Sequence, residues 1–207
     1  MPPPRERGRR LRRRVEDRRT AFGHIRIAAG RLDQGLLVAL RTRGHGVFAE
    51  RTAQALAGFG ELGAGWAGLG ILGAALGREH RRAFLIAAAA GPAAVGVNYA
   101  VKATVGRDRP AIEGHPPLGP APSELSFPSA HATSALAGAT ALARVAPRAR
   151  LPLLALAGLI CAGRPYLGMH YPSDVLAGVA LGSAIGRAWP LPEPAEPQPP
   201  APPEAFR

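Results

Sequence analysis

Three short clusters of polar residues stand out in this sequence, because each combines charged or nucleophilic side chains and borders an apolar segment. The clusters are Lys102-Ala-Thr-Val-Gly-Arg-Asp-Arg109-Pro110, Pro128-Ser129-Ala130-His131 and Arg164-Pro-Tyr-Leu-Gly-Met-His170-Tyr-Pro-Ser-Asp174. Together they contain cations that bind oxyanions, hydroxyl and amide donors, and imidazoles that act as nucleophiles or acids. This combination predicts chemistry on a phosphate group.

The predicted phosphate site uses three cations, Lys102, Arg109 and Arg164. Ser129 adds a hydroxyl, and the amides of Ser129 and Ala130 lie at the predicted start of a helix, where anions bind. Such donors suit a tetrahedral phosphate and its trigonal-bipyramidal transition state. Lys102 alone is equally well explained as an interfacial anchor, but it is the single lysine beside 25 arginines, which favours a specific role for its compact ammonium group.

Two histidines and an aspartate are the predicted catalytic groups. His170 and Asp174 are spaced i, i+4 at the start of a helix, so the carboxylate can fix the imidazole tautomer and make its other nitrogen nucleophilic. We expect His131 to protonate the leaving oxygen. The predicted reaction is phosphoryl transfer through a phosphohistidine followed by hydrolysis, with no metal and no cofactor. Without the other clusters, His131 is also explained as a helix cap, and His170 with Asp174 as a structural hydrogen-bonded pair.

At these residues the chain resembles the type 2 phosphatidic acid phosphatase family, whose superfamily also contains vanadium haloperoxidases and bacterial acid phosphatases. The family pattern is Lys-x6-Arg-Pro, then Pro-Ser-Gly-His, then Ser-Arg-x5-His-x3-Asp. The chain departs from it at Ala130, which replaces a glycine, and at Gly163, which replaces a serine. Ala130 keeps its amide, whereas the hydroxyl lost at Gly163 is expected to leave Arg164 less well oriented.

The resemblance covers roughly residues 57–189 and implies a metal-independent phosphatase built as a helical bundle. It implies that His170 is the nucleophile, that Asp174 orients it and that His131 is the acid. The residues that the resemblance implies for phosphate binding are Lys102, Arg109, Ser129, Ala130 and Arg164.

Five apolar segments predict membrane-spanning helices. They cover residues 57–77, 83–101, 132–146, 151–163 and 174–189. The first two have the length of a helix that crosses a bilayer, about 20 residues, whereas the three shorter ones are also typical of buried helices in soluble proteins. Counting five spans places all three clusters on one face of the membrane. Arginines flank the spans on both faces, so the orientation of the site stays open.

Glu61 is the single charged residue within the first predicted span. A carboxylate inside a span favours a functional role, and the equal alternative is a helix cap or an ion pair with Arg51. The same span contains a ridge of small residues, Gly60, Ala64 and Gly68, which predicts close helix packing.

The two ends of the chain differ in composition from its middle. Residues 1–23 form a predicted disordered arm, in which nine of the first 20 residues are arginine, and we expect it to bind anionic lipids. Residues 24–56 predict an interfacial segment, with leucines four residues apart from Leu32 to Leu40 on one helix face. Residues 190–207 are a Pro-rich tail that is predicted to be disordered.

The sequence therefore predicts an all-α integral-membrane bundle of about five transmembrane helices, preceded by an interfacial helix, in the cell membrane. The predicted function is hydrolysis of a phosphomonoester or diphosphate on a polyprenyl-linked or phosphatidate-type lipid. Two alternatives stay open, a vanadium-dependent haloperoxidase-like enzyme and a non-enzymatic membrane-tethered basic protein. The single cysteine, Cys161, excludes a disulfide scaffold and a cysteine-based zinc site. The net charge of +12 comes with only 5% aromatic residues, and we expect no binding to nucleic acid.

Overall fold

The computed structural model of the chain describes residues 29–192, in which all regular structure is helical and no strand occurs. Asp108 and Leu125 form an isolated antiparallel bridge. The helices are α1 (29–42), α2 (Val47–Gly60), α3 (Ala64–Leu76), α4 (Arg81–Ala88), α5 (Ala90–Val105), α6 (Ala130–Val145), α7 (Arg150–Tyr166) and α8 (Pro172–Ala188). The predicted arm, residues 1–23, lies outside the described residues, as do residues 193–207 of the predicted tail.

Helix α6 forms the centre of the bundle and packs against α5, α7 and α8. Alanine, glycine, serine and threonine dominate its sequence, so helices on several sides can approach it closely. Helix α8 presents Gly178, Gly182 and Gly186 to it, and a Cβ atom at Gly178 would lie 2.7 Å from the carbonyl oxygen of Ser129. The absence of side chains at these positions sets the distance between α6 and α8, the two helices whose first turns border the site.

A fully buried tryptophan anchors α3 to α6. Trp66 packs over Gly138, where a Cβ atom would come within 2.6 Å of its side chain. Leu142 and Ile160 belong to the same buried cluster. Because Trp66 follows the connection between α2 and α3 by three residues, this packing also fixes that connection against α6.

The last three predicted segments correspond to α6, α7 and α8, which differ from them by one to three residues at each end. The prediction of one helix over residues 57–77 is wrong. Leu62 and Gly63 have φ values of 49° and 76°, a left-handed conformation that interrupts the helix between α2 and α3. The predicted ridge from Gly60 to Gly68 crosses this break, and a Cβ atom at Gly68 would meet nothing within 4 Å.

The second predicted segment, residues 83–101, comprises α4 and α5, which meet at Ala89. Pro92 explains the interruption, because its ring crowds the carbonyl group one turn earlier and it lacks an N–H donor. In the described residues, two helical stretches, Val47–Leu76 and Arg78–Val105, are long and apolar enough to cross a membrane.

Helix α1 turns a polar face towards the bundle. Leu32 and Leu36 are 69% and 55% exposed, in keeping with the leucine face expected for an interfacial helix. The inward face consists of Asp33, Leu37 and Arg41, all of which are buried. The leucine pattern predicts the exposed face, but it does not indicate that an acidic and a basic residue point into the protein.

Candidate active site

A cavity opens at the end of the bundle where α5 and α7 end and α6 begins. The predicted site residues that line it are Lys102, Arg109, Ala130, His131, Arg164 and His170. The two others, Ser129 and Asp174, are fully buried next to lining residues. Glu61 and Tyr99 also border the cavity. The three clusters of the sequence therefore meet at one place, as the predicted number of helices between them requires.

The loop between α5 and α6 folds back on itself and holds two of the cations. The backbone N–H of Arg109 donates to the Glu124 carbonyl at 3.0 Å, and its Nε donates to the Ser123 carbonyl at 2.7 Å. Lys102 Nζ donates to the Leu125 carbonyl at 2.8 Å. Carbonyl groups hold both side chains, and neither forms an ion pair with a carboxylate within residues 29–192, so both cations can pair with an anion.

The imidazole of His170 lies between α7 and α8 and is 1% exposed. Its Nε2 atom lies 3.3 Å from Arg109 Nη1, and its Nδ1 atom lies 3.6 Å from Asp174 Oδ2. Since a guanidinium only donates hydrogen bonds, Nε2 carries the lone pair and Nδ1 the proton. Burial lowers the pKa of His170 to about 4, with Arg164 and Arg109 acting in the same direction and Asp174 against it. The ring is therefore neutral near pH 7, with a lone pair on the nitrogen next to Arg109.

The carboxylate of Asp174 is anchored by groups other than His170. Oδ1 accepts a hydrogen bond of 2.8 Å from Arg107 Nη1, and Oδ2 accepts one of 2.9 Å from the backbone N–H of Tyr171. The predicted contact with His170 is present, but the distance of 3.6 Å between Asp174 Oδ2 and Nδ1 is too long for a hydrogen bond. His170 Nδ1 has no hydrogen-bond partner among the described residues.

Arg107 links Asp174 to the first helix. Its Nη2 donates to Asp33 Oδ2 at 2.8 Å, and its Cζ atom lies 3.9 Å from the centre of the Tyr171 ring. Asp33 also accepts from the Ser173 N–H at 2.9 Å and from the Ser173 hydroxyl. Partial burial acts to raise the pKa of Asp33, but the hydrogen bonds from Ser173 and Arg107 outweigh it and lower that pKa. One guanidinium thus joins two carboxylate side chains.

His131 faces the connection between α2 and α3. Its Nε2 atom lies 3.1 Å from the Ala57 carbonyl oxygen and 3.4 Å from Glu61 Oε2. A carbonyl only accepts, so Nε2 carries a proton that points at these oxygens. Glu61 is half exposed and forms no ion pair with Arg51 in the described part of the chain. Glu61 also occupies the C-cap position of α2, so its place at the cavity and its place at a helix end are both present and its role stays a prediction.

Ser129 is the N-cap of α6, and its side chain accepts from the Ala132 amide at 3.5 Å. The expectation that the Ser129 amide is available to an anion is wrong, because this N–H donates to the Asp174 carbonyl at 3.0 Å. That bond joins the first turns of α6 and α8. The amide of Ala130 has no acceptor within its helix, and Ala130 borders the cavity.

Arg164 lies in the last turn of α7 and is only 4% exposed. Its Nε atom has no hydrogen-bond partner among residues 29–192, and the neighbouring Gly163 has no hydroxyl to offer it. A buried guanidinium with an unpaired donor is costly unless an anion completes its hydrogen bonds.

Three polar residues near the site were not indicated by the sequence, of which Arg107 is partly buried and the other two are buried. Arg107 lies within the first cluster, and this position partly indicates a role at the site. Its spacing from the other residues does not predict which side chain it contacts. Asp33 has no signal beyond the helix periodicity of α1. Asn98 is also fully buried, and its amide donates to Thr133 Oγ1 at 2.9 Å and to the Pro128 carbonyl at 3.2 Å. These bonds attach α5 to the start of α6.

Comparison with known proteins places this geometry in a family. Residues 81–192 match the PAP2 superfamily. The chain is 41% identical over 142 residues to a decaprenylphosphoryl-5-phosphoribose phosphatase of Mycobacterium tuberculosis, and the match covers 65% of this chain and 75% of that protein. The matched family region contains all three polar clusters.

Two solved structures share the fold. A transmembrane PAP2 type phosphatidylglycerolphosphate phosphatase from Bacillus subtilis superposes with a TM-score of 0.64 at 21% identity, covering 77% of this chain and 83% of that one. Aquifex aeolicus LpxE superposes with a TM-score of 0.56 at 25% identity, covering 74% of this chain and 91% of the other. With its family match, its phosphatase relative and the convergence of all three clusters, the chain belongs to the PAP2 superfamily and is a phosphatase of that type.

Proposed function

We propose that this phosphatase removes a phosphate group from a polyprenyl-linked lipid through a phosphohistidine on His170, with no metal. The observation that carries the proposal is the neutral, buried imidazole of His170, whose Nε2 lone pair lies beside Arg109 in a cavity also lined by Lys102 and Arg164. A nucleophile without charge next to three cations is suited to attack a phosphate anion.

The phosphoryl oxygens are bound by the cations that line the cavity, by the Ala130 amide and by the Ser129 hydroxyl. Lys102 and Arg109 are held by carbonyl groups and form no ion pair in the described part of the chain, so both can pair with a phosphate. The unpaired Nε of Arg164 gains an acceptor when the anion enters. These contacts strengthen as negative charge spreads over the equatorial oxygens of the transition state.

In the first step, Nε2 of His170 attacks phosphorus and forms a P–N bond while the bond to the ester oxygen breaks. We assign the transfer of a proton to that oxygen to His131, and the oxygen leaves as the lipid alcohol. Asp174 offsets the positive charge that develops on the His170 ring, from its position 3.6 Å from Nδ1. In the second step, water gives a proton to His131 and attacks phosphorus, the P–N bond breaks, and inorganic phosphate leaves.

The membrane arrangement follows from the apolar helices. In this proposal α2 with α3, α4 with α5, and α6, α7 and α8 make five crossings of the cell membrane, and α1 lies in the interface with its leucine face towards lipid. The substrate keeps its hydrocarbon tail in the bilayer while its phosphate enters the cavity. The arm, residues 1–23, adds nine arginines for contact with anionic lipids.

The polyprenyl class is favoured over phosphatidate by the relative from Mycobacterium tuberculosis, whose name specifies a decaprenyl-linked phosphoribose. The family match over residues 81–192 includes every residue that lines the cavity apart from Gly60, Glu61 and Leu62. The proposed substrate is therefore a phosphomonoester on a polyprenyl carrier, with a polyprenyl diphosphate as the next candidate.

Phosphate release by the full chain in mild detergent tests this function. The substrates are a polyprenylphosphoryl-5-phosphoribose, a polyprenyl diphosphate and a phosphatidate, each with and without EDTA. We expect the first to be turned over fastest, activity to persist in EDTA, vanadate to inhibit, and His170→Ala to abolish turnover. A burst of acid-labile, base-stable phosphate on the protein is expected from a phosphohistidine.

Three outcomes would overturn the proposal. Full turnover in His170→Ala would show that His170 is not the nucleophile. Loss of turnover in EDTA would show that a metal takes part. Halide oxidation that depends on vanadate and peroxide, without phosphate release, would instead identify a haloperoxidase-like enzyme. A chain without residues 1–23 is expected to keep its turnover, which distinguishes an enzyme from a basic tethering protein.

A further inference from the structure

A second cavity lies at the opposite end of the bundle from the active site. It has a volume of about 360 Å³ and is bordered by the last turns of α6 and α8 and the first turn of α7. Its lining includes Leu136, Leu154, Ser183, Arg144, Arg150 and Arg187. Among residues 29–192, no histidine, cysteine or acidic residue lines it, so this part of the chain brings none of the catalytic groups of the phosphatase reaction to the cavity.

The shape of this cavity follows from the packing of three helices. Helix α6 packs extensively on both α7 and α8, whereas α7 and α8 have few contacts with each other. The glycines of α8 hold it close to α6, and the space between α7 and α8 is left open above the α6 side chains. The result is a groove with an α6 floor and with Leu136 and Leu154 as apolar contacts.

The charged residues that line this groove are all arginines, so its charge is positive. Arg144 uses Nη1 to hold the carbonyl groups of Gly186 and Trp189, at 3.0 and 2.7 Å. Arg150 and Arg187 form no ion pair with any residue in 29–192. All three arginines are exposed at the mouth of the groove. Three guanidinium groups lie around a floor that includes Leu136, Thr140 and Ala143, with Leu154 beside it, and this combination complements a ligand with an anionic head and a hydrocarbon tail.

We propose that this groove, which we call the arginine groove, binds one anionic phospholipid as a structural ligand. The phosphodiester lies between Arg150 and Arg187, and an acyl chain lies against Leu136 and Leu154. Basic pockets between transmembrane helices bind anionic headgroups in this way, because guanidinium groups pair with phosphate oxygens in two-point contacts. The inference rests on the membrane arrangement proposed above and is independent of the substrate.

The bound lipid fills the gap between α7 and α8, two helices that are linked mainly through α6. It therefore stabilises the bundle at the end remote from the active site. A zwitterionic lipid of the same chain length lacks the net negative charge, and a free phosphate ester lacks the chain, so neither replaces it.

The test measures lipid retained by the full chain in mild detergent, by native mass spectrometry during titration with phosphatidylglycerol. The double variant Arg150→Ala/Arg187→Ala is expected to bind it about 25-fold more weakly, since each arginine near an anionic headgroup contributes about fivefold. The matched control, Arg82→Ala/Arg148→Ala, removes two exposed arginines from the same end outside the groove and should bind like the wild type. Both double variants should keep phosphatase turnover, which shows that they fold.

A third variant separates the lipid from a headgroup alone. Ser183→Leu leaves all three arginines in place but fills the groove, and we expect it to lose phosphatidylglycerol as the double variant does. Phosphatidylcholine and glycerophosphate should neither be retained nor raise the melting temperature. The proposal would be overturned if the control and groove variants lost phosphatidylglycerol equally, or if Arg150→Ala/Arg187→Ala retained it. Equal retention of phosphatidylcholine by the wild type would also overturn it. So would a wild-type groove that holds residues 193–207 instead of a lipid.

Discussion

Arg107 donates a hydrogen bond of 2.8 Å to Asp174, a carboxylate with no exposed surface that lies beside the imidazole of His170. The same guanidinium binds Asp33, so helix α1 is connected to the active site through one side chain. Asp174 contacts both Arg107 and the imidazole through a single carboxylate. The pairing therefore sets both the position of the carboxylate and the negative charge that His170 experiences.

Replacing Arg107 with alanine should reduce kcat more than it changes KM. The buried carboxylate of Asp174 would lose its charged partner, which is costly, and would shift away from His170. We expect a fall in kcat of about 10- to 100-fold, the range found for outer-shell partners of metal-binding histidines. Steady-state kinetics on the lipid substrate measure it.

Two further variants define how Arg107 acts. Arg107→Lys keeps the charge but cannot bridge two carboxylates as a planar fork does, so its kcat should lie between those of the wild type and the alanine variant. Asp33→Asn removes one of the two anchors and should give a smaller loss than Arg107→Ala. An unchanged kcat in Arg107→Ala would show that the contact with Asp174 has no catalytic consequence.

The sequence predicts the residues of the cavity well, because each of the three clusters borders an apolar segment. Helices α6, α7 and α8 follow from uninterrupted apolar runs, and their number brings His131, Arg164 and His170 to the same end of the bundle. Such information is local in the chain, so periodicity and spacing are enough to recover it.

Contacts between distant residues carry no such local signal. Arg107 and Asp33 are 74 residues apart, and the exposed leucines of α1 do not indicate which polar residue turns inward. The break at Leu62 is also hidden, since a glycine-rich apolar run has the same composition whether or not it is interrupted. The bond from the Ser129 amide to the Asp174 carbonyl depends on how α6 and α8 pack. Because this packing leaves no signal near Ser129 in the sequence, the amide is predicted to be free.

The pH dependence of catalysis should reflect the low pKa of His170. A nucleophile with a pKa of about 4 stays unprotonated at pH 5 to 8, so kcat/KM should show no acid limb from this group above pH 5 and should fall below about pH 4. A pH series with a substrate whose phosphate ionisation is corrected for measures this. The prediction would be contradicted by an acid limb of kcat/KM near pH 6.5 that persists in all the other variants.

The same shift predicts a pH-dependent stability. The unfolded chain protonates this histidine near pH 6.5 and the folded chain only near pH 4, so the free energy of unfolding should decline between these values as pH falls, and then level off. The measurement is the melting temperature of the wild type and of His170→Asn at each pH between 4 and 7. The gap between them should change across this interval, and a constant gap would argue against the low pKa.

Loss of His131 should depend on the leaving group. An alkyl alcohol needs a proton as it departs, so His131→Ala should slow hydrolysis of the lipid substrate by about 10²- to 10⁴-fold. A nitrophenyl phosphate with a stable leaving anion should be slowed far less. The ratio of the two rates, in wild type and variant, is the measurement. Equal losses on both substrates would assign His131 to phosphate binding and not to proton transfer.

Glu61 should influence kcat and KM in a separable way. Its carboxylate lies 3.4 Å from His131 Nε2 and is half exposed, so Glu61→Gln is expected to lower kcat by about two- to fivefold, as for an exposed ion pair. The same change removes a negative charge from the border of an anion site and should lower KM. Glu79→Gln, in the turn before α4 at the other end of the bundle, is the matched control. Parallel effects in both variants would exclude a specific role.

Close packing of α8 on α6 should make Gly182 intolerant of even one methyl group. A Cβ atom there would overlap the backbone carbonyl of Thr133, which cannot move without shifting α6. Overpacking of this kind costs about 1–3 kcal/mol, so Gly182→Ala should lower the melting temperature and also reduce turnover, because both helices begin at the active site. Gly158→Ala is the control on α7, where a Cβ atom meets nothing within 4 Å and alanine improves helix propensity by up to about 1 kcal/mol. Tryptophan fluorescence during heating in detergent measures both variants, and an unchanged or higher melting temperature for Gly182→Ala would show that the two helices are further apart than described.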